Sequence, residues 1–270
     1  MKTPVATEIS SRIQKAAAIL MAEGPVGLYS RIKSRWGREG ANRRLESIGL
    51  SDLSNAAKFE VIYRERLWVR AIPKSFNRDG SVSGHGSTEQ STRVFRSQLQ
   101  RFLEDHSANA FLDAPCGDFN WMKLVNVRQM REYIGGDIVR ELIERLNAEY
   151  ALPRPSVGGL SRRFILLDVT RDSLPKADVW LCKDCLQHMS NEDILSVLRN
   201  ARVSPIQYFL FSNHAGVETN KDIKTGQFRP VDLTLAPFNL PTPFAKLQDA
   251  PTDGEARYVG VWRKQDLLSV

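Results

Sequence analysis

The chain has 270 residues, of which 42% are hydrophobic, enough to bury the core of one large domain or of one domain with an appendage. No apolar run approaches the roughly 20 residues of a membrane span, and the first residues lack a hydrophobic signal core, so we expect a cytoplasmic protein. The net charge of +7 resides in residues 1–80, with fifteen Lys and Arg against eight Asp and Glu, whereas residues 81–270 carry twenty-three of each, which argues against nucleic-acid binding by the main domain.

The N-terminal third shows helical patterns of its own. Residues 7–22 place Ile9, Ile13 and Leu20 near one face of a helix, which we interpret as packing on the domain or on a partner subunit rather than as a membrane-surface helix. Residues 31–45 are basic, contain two glycines and indicate a hinge. Residues 55–72 predict a second helix, followed by a loop rich in Gly, Ser and Asn. We therefore predict a basic helical extension at residues 1–80, distinct from a domain at residues 81–270.

From residue 87 onward, helix and strand patterns alternate. Strands are predicted at residues 109–115, 132–138, 162–170, 177–184, 206–213 and 256–264, and helices at residues 87–106, 120–129, 139–150 and 190–202. Ser190 is expected to cap the last of these helices, with Asp193 three residues on. Such alternation predicts an α/β fold whose mostly parallel sheet is covered by helices on both faces.

Residues 213–254 interrupt this alternation. They are rich in Pro, Asn, Thr and Gly and show no clear period, and a segment of this length in a compact domain is usually a functional loop. We interpret it as a lid over the substrate site. Its polar residues would suit a hydroxyl-rich molecule, and they are Asn213, His214, Asn220, Asp222, Arg229 and Asn239.

The three cysteines do not indicate a disulfide framework. Cys182 and Cys185 form a C-x-x-C, which could be half of a zinc site or a redox pair. No second C-x-x-C follows, and Cys182 lies within an apolar strand pattern. We expect a pair of buried thiols and no metal site.

Acidic residues stand at the ends of four successive strands: Asp113, Asp137, Asp168 and Asp184. In open α/β sheets, ligands bind beyond the carboxyl ends of the strands, and an acid ending the second strand is where a ribose diol is held. The phosphate-binding G-x-G-x-x-G fingerprint is absent, since "APCGDFNW" contains the single glycine Gly117, and no Walker lysine exists. A cofactor with a ribose but no pyrophosphate fits best, which points to S-adenosylmethionine.

At these residues the chain resembles the class I SAM-dependent methyltransferases. "FLDAPCGDFNW" is similar to the first motif of that superfamily, "YIGGDIV" to the second, "FILLDVT" to the third and "DVWLCKDCLQHMS" to the fourth. "SGHGSTEQ", "NKDIKTGQFRPVDL" and "PFNLPTP" resemble a bacterial subfamily whose substrate is unsettled. The resemblance covers roughly residues 80–265. It implies a Rossmann-like, seven-stranded, mostly parallel sheet with an antiparallel last strand near residues 258–263, plus the helical N-terminal extension.

The resemblance also implies site roles. Asp113 and Gly117 would border the methionine moiety, and Cys116 between them would also bind the cofactor. Asp137 would bind the ribose hydroxyls, and Ile138 would contact the adenine. Asp168 and Val169 would also contact the adenine, while Lys183 and Asp184 would lie at the reaction centre. Trp121 is expected to be a packing residue. The N-terminal extension would cover the acceptor side or form the contact of a homo-oligomer, leaving the cofactor pocket to the rest of the chain.

A general base is needed if the methyl acceptor is an alcohol. His188 lies one helical turn past Asp184 and is the first candidate, His214 directly after a strand is the second, and His85 in the glycine-rich loop is the third. For each of them, a surface or capping role is about equally plausible. We expect methylation, most simply O-methylation, of a small molecule or glycan. The alternatives are a nucleic-acid methyltransferase and a SAM-binding module without catalysis.

Overall fold

The computed structural model describes residues 53–69, 77–127, 130–153, 159–249 and 257–268. The helix predicted at residues 7–22 and the hinge at residues 31–45 lie outside the described residues. In the part of the chain that the structure describes, no helix is both long enough and apolar enough to cross a membrane.

The described residues form a seven-stranded sheet. Its strands are β1 (Ala110–Asp113), β2 (Glu132–Asp137), β3 (Ser161–Leu166), β4 (Val179–Cys182), β5 (Tyr208–His214), β6 (Ala245–Asp249) and β7 (Arg257–Arg263). They lie in the order β3-β2-β1-β4-β5-β7-β6. The first five strands in chain order pair in parallel, and β7 is antiparallel to both β5 and β6. The Rossmann-like sheet predicted from the sequence, with its antiparallel last strand, is confirmed.

Helices cover both faces of this sheet. They are α1 (Asn55–Arg64), α2 (Arg93–Asp105), α3 (Arg140–Tyr150), α4 (Asn191–Val203) and the short α5 (Lys264–Leu268). Successive strand residues point to opposite faces, so Phe111 packs with one layer of helices and Leu112 with the other. Ser190 caps α4 as predicted, accepting a hydrogen bond from the backbone N–H of Asp193 at 3.2 Å.

Three local predictions need correction. The helix predicted at residues 120–129 is only a 3-10 turn, Met122–Leu124, because the β-branched Val125 turns into an extended conformation. The helix predicted at residues 55–72 ends at Arg64, and Arg66 adopts a positive φ of 50°. The predicted lid contains a strand, β6, whose five residues include a single buried aliphatic side chain, Leu247, too weak a pattern to detect.

The topology determines where the acidic strand ends meet. Asp113 ends β1 and Asp137 ends β2, while Asp168 and Asp184 each follow a strand by two residues. Since all four strands run in parallel, these acids share one edge of the sheet.

Candidate active site

A cleft opens above this edge of the sheet, with about 870 Å³ of space between its walls, part of it open to solvent. The eight residues predicted to bind the cofactor all line it: Asp113, Cys116, Gly117, Asp137, Ile138, Asp168, Val169 and Lys183. Asp184, His188 and Trp121 line it too, and Trp121 also packs edge-on against Phe95.

Asp137 is buried and held by backbone amides. The N–H of Gly117 donates to Asp137 Oδ2 at 3.1 Å, and the N–H of Val139 donates to Oδ1 at 3.1 Å. Burial raises the pKa of Asp137 to about 6, against the effect of these backbone hydrogen bonds. A carboxylate has about four lone-pair positions, so Asp137 keeps capacity to accept further hydrogen bonds from a ligand.

Asp113 has a different partner. The hydroxyl of Tyr133 donates to Asp113 Oδ2 at 2.7 Å, and both side chains are buried. Burial raises the pKa of Asp113 to about 7, with Tyr133 opposing the shift. Burial likewise raises the pKa of the Cys116 thiol, so this cysteine is neutral.

Gly117 occupies a tight position in the loop after β1. Its φ is +55°, and a Cβ there would lie 2.7 Å from Ser83 Oγ. Ser83 Oγ accepts from the N–H of Asp118 at 2.9 Å and lies 2.9 Å from Tyr63 Oη. The sequence suggested that Gly117 admits a ligand to the backbone. In the structure, protein atoms of the preceding loop fill the space beside it.

The carboxylate of Asp168 is bonded by residues of the turn that follows it. Thr170 Oγ1 donates to Asp168 Oδ1 at 2.6 Å, and the exposed Arg171 pairs with Oδ2 at 3.1 Å. The carboxylate therefore faces the cleft with part of its hydrogen-bonding capacity already used.

Four charged side chains form a buried cluster, which we call the charge cluster and whose first two members line the cleft: Lys183, Asp184, Asp249 and Arg257. Arg257 lies 2.9 Å from Asp184 Oδ1 and 2.7 Å from Asp249 Oδ2, and Lys183 bonds both acids and the carbonyl of Gly86. Burial opposes ionisation of Asp184, but Arg257 and Lys183 outweigh it and hold the pKa of Asp184 well below its usual range. Asp184 is therefore a fixed anion, unsuited to accept a proton near neutral pH.

His188 is the histidine that the structure brings to the cleft. Its Nδ1 lies 3.0 Å from the carbonyl oxygen of Gln227, which can only accept, so Nδ1 carries the proton and Nε2 is left as a proton acceptor. Burial lowers the pKa of His188 to about 4, so the ring is neutral near pH 7.

The other candidate histidines lie elsewhere. His214 is buried at the end of β5 against the backbone of Val231, and His85 begins a 3-10 turn; neither is among the described residues that line the cleft. The base role of His214 stays a prediction from sequence that this geometry does not favour.

The predicted lid does not line the cleft with any of its described residues, 213–249. Arg229 instead donates to the carbonyl of Leu186, to Asn191 Oδ1 and to the carbonyl of Lys221, at 2.9, 2.9 and 3.1 Å. Asp222 accepts from the N–H of Asn191 at 2.7 Å. These bonds attach the segment to the start of α4. The carbonyl oxygen of Gln227, in the same segment, accepts the hydrogen bond from Nδ1 of His188.

Sequence reasoning missed one wall of the cleft. Asn55, Phe59, Tyr63 and Trp68 come from α1 and the turn after it, inside the predicted N-terminal extension. The ring of Trp68 lies 5.2 Å from that of Tyr63 and 5.4 Å from that of His188. Arg257 and Asp249 were also missed, since neither belongs to a recognised motif. That the extension covers the acceptor side or forms a subunit contact stays a prediction; its aromatic residues Phe59, Tyr63 and Trp68 border the same cleft.

No protein-family model matches the sequence, and no curated protein matches it. Among solved structures, the chain is similar to 1,6-didemethyltoxoflavin-N1-methyltransferase from Burkholderia thailandensis, with a TM-score of 0.53 and 18% identity over 77% of this chain and 88% of that chain. It is also similar to human N-acetylserotonin methyltransferase in complex with SAM, with a TM-score of 0.52 and 15% identity, covering 84% of this chain and 66% of that chain. For magnesium protoporphyrin IX methyltransferase from Synechocystis the TM-score is 0.50 at 12% identity, covering 78% of this chain and 98% of that chain.

These identities are low, so the likeness establishes the fold. The chain has the fold of the class I SAM-dependent methyltransferases, as the order of its motifs predicted.

Proposed function

We propose that this chain is a SAM-dependent methyltransferase acting on a small molecule, most simply by O-methylation. The observation that carries the proposal is the convergence of Asp113, Asp137 and Asp168 on one cleft at the carboxyl edge of the sheet. The three similar methyltransferases described above are named for small-molecule acceptors, which supports a small-molecule acceptor over nucleic acid. The balanced charge of residues 81–270 favours the same choice.

The residues present fit S-adenosylmethionine. Asp137 has lone pairs to spare after binding two backbone amides, so it can accept from a ribose diol. Asp113 and Asp137 are buried acids that would be stabilised in ionised form by a neighbouring cation such as a sulfonium. Ile138 and Val169 offer apolar contact for the adenine.

When bound, the cofactor supplies an electrophilic methyl group. The protein contributes positioning and exclusion of water, which carry most of the rate in a transfer of this kind. His188 has its Nδ1 proton committed to Gln227, so its Nε2 can take the proton of an acceptor hydroxyl. The charge cluster holds Asp184, and with it the turn that leads to His188, in place.

Calorimetric titration with SAM tests the cofactor. Asp137→Ala removes charge-assisted hydrogen bonds worth roughly 1.5–3 kcal/mol each, so affinity should fall by at least about tenfold. Asp105→Ala, at an exposed carboxylate on the surface of α2, is the matched control and should bind like the parent. Unchanged affinity in Asp137→Ala would remove the basis of the proposal.

Methyl-labelled SAM incubated with a bacterial small-molecule extract tests catalysis. A labelled product that requires the protein supports an enzyme, whereas tight SAM binding without any labelled product favours a non-catalytic SAM-binding module.

A further inference from the structure

The cleft has one wall made of aromatic rings, which we call the aromatic wall: Phe59, Tyr63 and Trp68. It begins at Tyr63, whose hydroxyl lies beside Ser83 and Gly117, and ends at Trp68, whose ring meets His188. Phe59 also lines the cleft and packs against Trp68, with ring centroids 6.0 Å apart. The wall therefore runs from the Asp137 end of the cleft to the histidine that can take a proton.

The polar side chains beside this wall are already engaged within the protein. Asn55 Nδ2 donates to Asp193 at 3.0 Å, and Thr170 Oγ1 donates to Asp168 at 2.6 Å. A sugar carries several hydroxyls, and each one that is buried without a partner is costly. Among the described residues that line the cleft, few side-chain donors remain to pair with the oxygens of such a ring.

The buried charges near the His188 end of the wall are balanced as well. Lys183 and Arg257 are cations, Asp184 and Asp249 are anions, and the four pair with one another. Lys183 therefore does not present an unpaired positive charge that would attract a phosphate or carboxylate group. An uncharged, flat and largely apolar acceptor matches this surface best.

Resting on the methyltransferase function proposed above, we propose that the acceptor is a planar hydroxy-aromatic molecule whose ring packs against Trp68 and whose hydroxyl lies at Nε2 of His188. Aromatic rings pack favourably on a tryptophan face or edge. The weak basicity of His188 also favours an acidic hydroxyl as the acceptor, because burial lowers the pKa of His188 to about 4. A phenol, with a pKa of about 10 as in tyrosine, gives up its proton far more readily than a sugar hydroxyl does.

The test uses the full chain loaded with S-adenosylhomocysteine and measures binding of catechol, 8-hydroxyquinoline and 7-hydroxycoumarin against methyl glucoside. At least one hydroxy-aromatic probe should bind, and methyl glucoside should not. Trp68→Ala should weaken the aromatic probe by about tenfold, while Trp68→Phe, which keeps a ring, should lose no more than about threefold. Phe244→Ala, at a half-exposed ring outside the cleft lining, is the matched control and should bind like the parent.

SAM affinity, measured in every variant, separates this inference from the proposed function and reports that each variant is folded. Unchanged SAM affinity together with weakened probe binding in Trp68→Ala supports the inference. A protein that binds SAM but prefers methyl glucoside, binds none of the aromatic probes, or keeps its aromatic affinity in Trp68→Ala overturns the inference and leaves the methyltransferase proposal standing. A protein that binds no SAM overturns both.

Discussion

The buried carboxyl of Asp113 lowers the stability of the folded protein when it ionises. The carboxyl is buried and bonded to Tyr133, and burial raises its pKa to about 7 from the ordinary value of 3.8. The folded protein therefore binds this proton more tightly than the unfolded chain does. The ionised form then costs stability, and the cost grows as the pH rises from about 4 to about 7.

Asp113→Asn should relieve that cost, because the amide oxygen can still accept from Tyr133 and nothing ionises. We expect the variant to exceed the parent in free energy of unfolding by roughly 2–4 kcal/mol at pH 8, with the difference shrinking toward pH 4. Urea unfolding at pH 4, 6 and 8 measures this. A difference independent of pH would mean that the pKa of Asp113 is not raised.

At the scale of the element, the loop after β1 depends on Gly117. An added Cβ would meet Ser83 Oγ at 2.7 Å as well as the strain of a φ of +55°. Gly117→Ala should therefore lower the free energy of unfolding by roughly 2–4 kcal/mol. Gly216, with a φ of +75° and open space around it, is the control, and Gly216→Ala should lose only the backbone term of about 1–2 kcal/mol.

Ser83→Gly removes the side chain that the new Cβ would strike. It also removes the hydrogen bonds of Ser83 Oγ to Asp118 and Tyr63, so Ser83→Gly should cost less in the Gly117→Ala background than in the parent, measured by the same urea titration. An equal cost in both backgrounds would show that backbone strain alone accounts for the loss in Gly117→Ala.

The segment between β5 and β6 depends in a similar way on Arg229. Its guanidinium satisfies the carbonyls of Leu186 and Lys221 and the side chain of Asn191. Arg229→Ala leaves these acceptors without their donor, so we expect a loss of roughly 2–4 kcal/mol in the free energy of unfolding, with SAM affinity preserved. Chemical denaturation and calorimetry on the same samples measure both. A variant of normal stability that selectively loses methyl transfer would restore the acceptor-contact role expected from the sequence.

At the scale of the whole molecule, the charge cluster joins the centre of the sheet to its far edge. Lys183 and Asp184 follow β4, Asp249 ends β6 and Arg257 begins β7. Arg257→Met should cost roughly 3–5 kcal/mol, because it leaves two buried acids with Lys183 alone.

Asp249→Asn combined with Arg257→Met should cost less than the sum of the two single changes, since the double variant removes one charge of each sign. Thermal or urea unfolding of the four proteins in this cycle measures the coupling. Additive losses would indicate that the two side chains do not act as a pair.

The sequence by itself determined the features that local pattern encodes. Apolar runs that alternate with helical patterns predicted the parallel strands. The acid at the end of each run placed Asp113, Asp137, Asp168 and Asp184 at the carboxyl ends of the strands, because the end of a strand can be recognised within a few residues of sequence. Ser190 was predictable for the same reason, since a cap bonds to a residue three positions away.

Only the tertiary structure decided which distant segments complete the cleft. Asn55 meets Asp193 across 138 positions, and Lys183 bonds the carbonyl of Gly86 across 97. The aromatic wall, the partners of Asp184 and the anchoring of Arg229 all depend on such contacts between distant segments. The periodicity of a sequence indicates which face of an element is buried, but not which distant segment packs against that face. The residues that complete the cleft from distant segments could therefore be identified only from the folded structure.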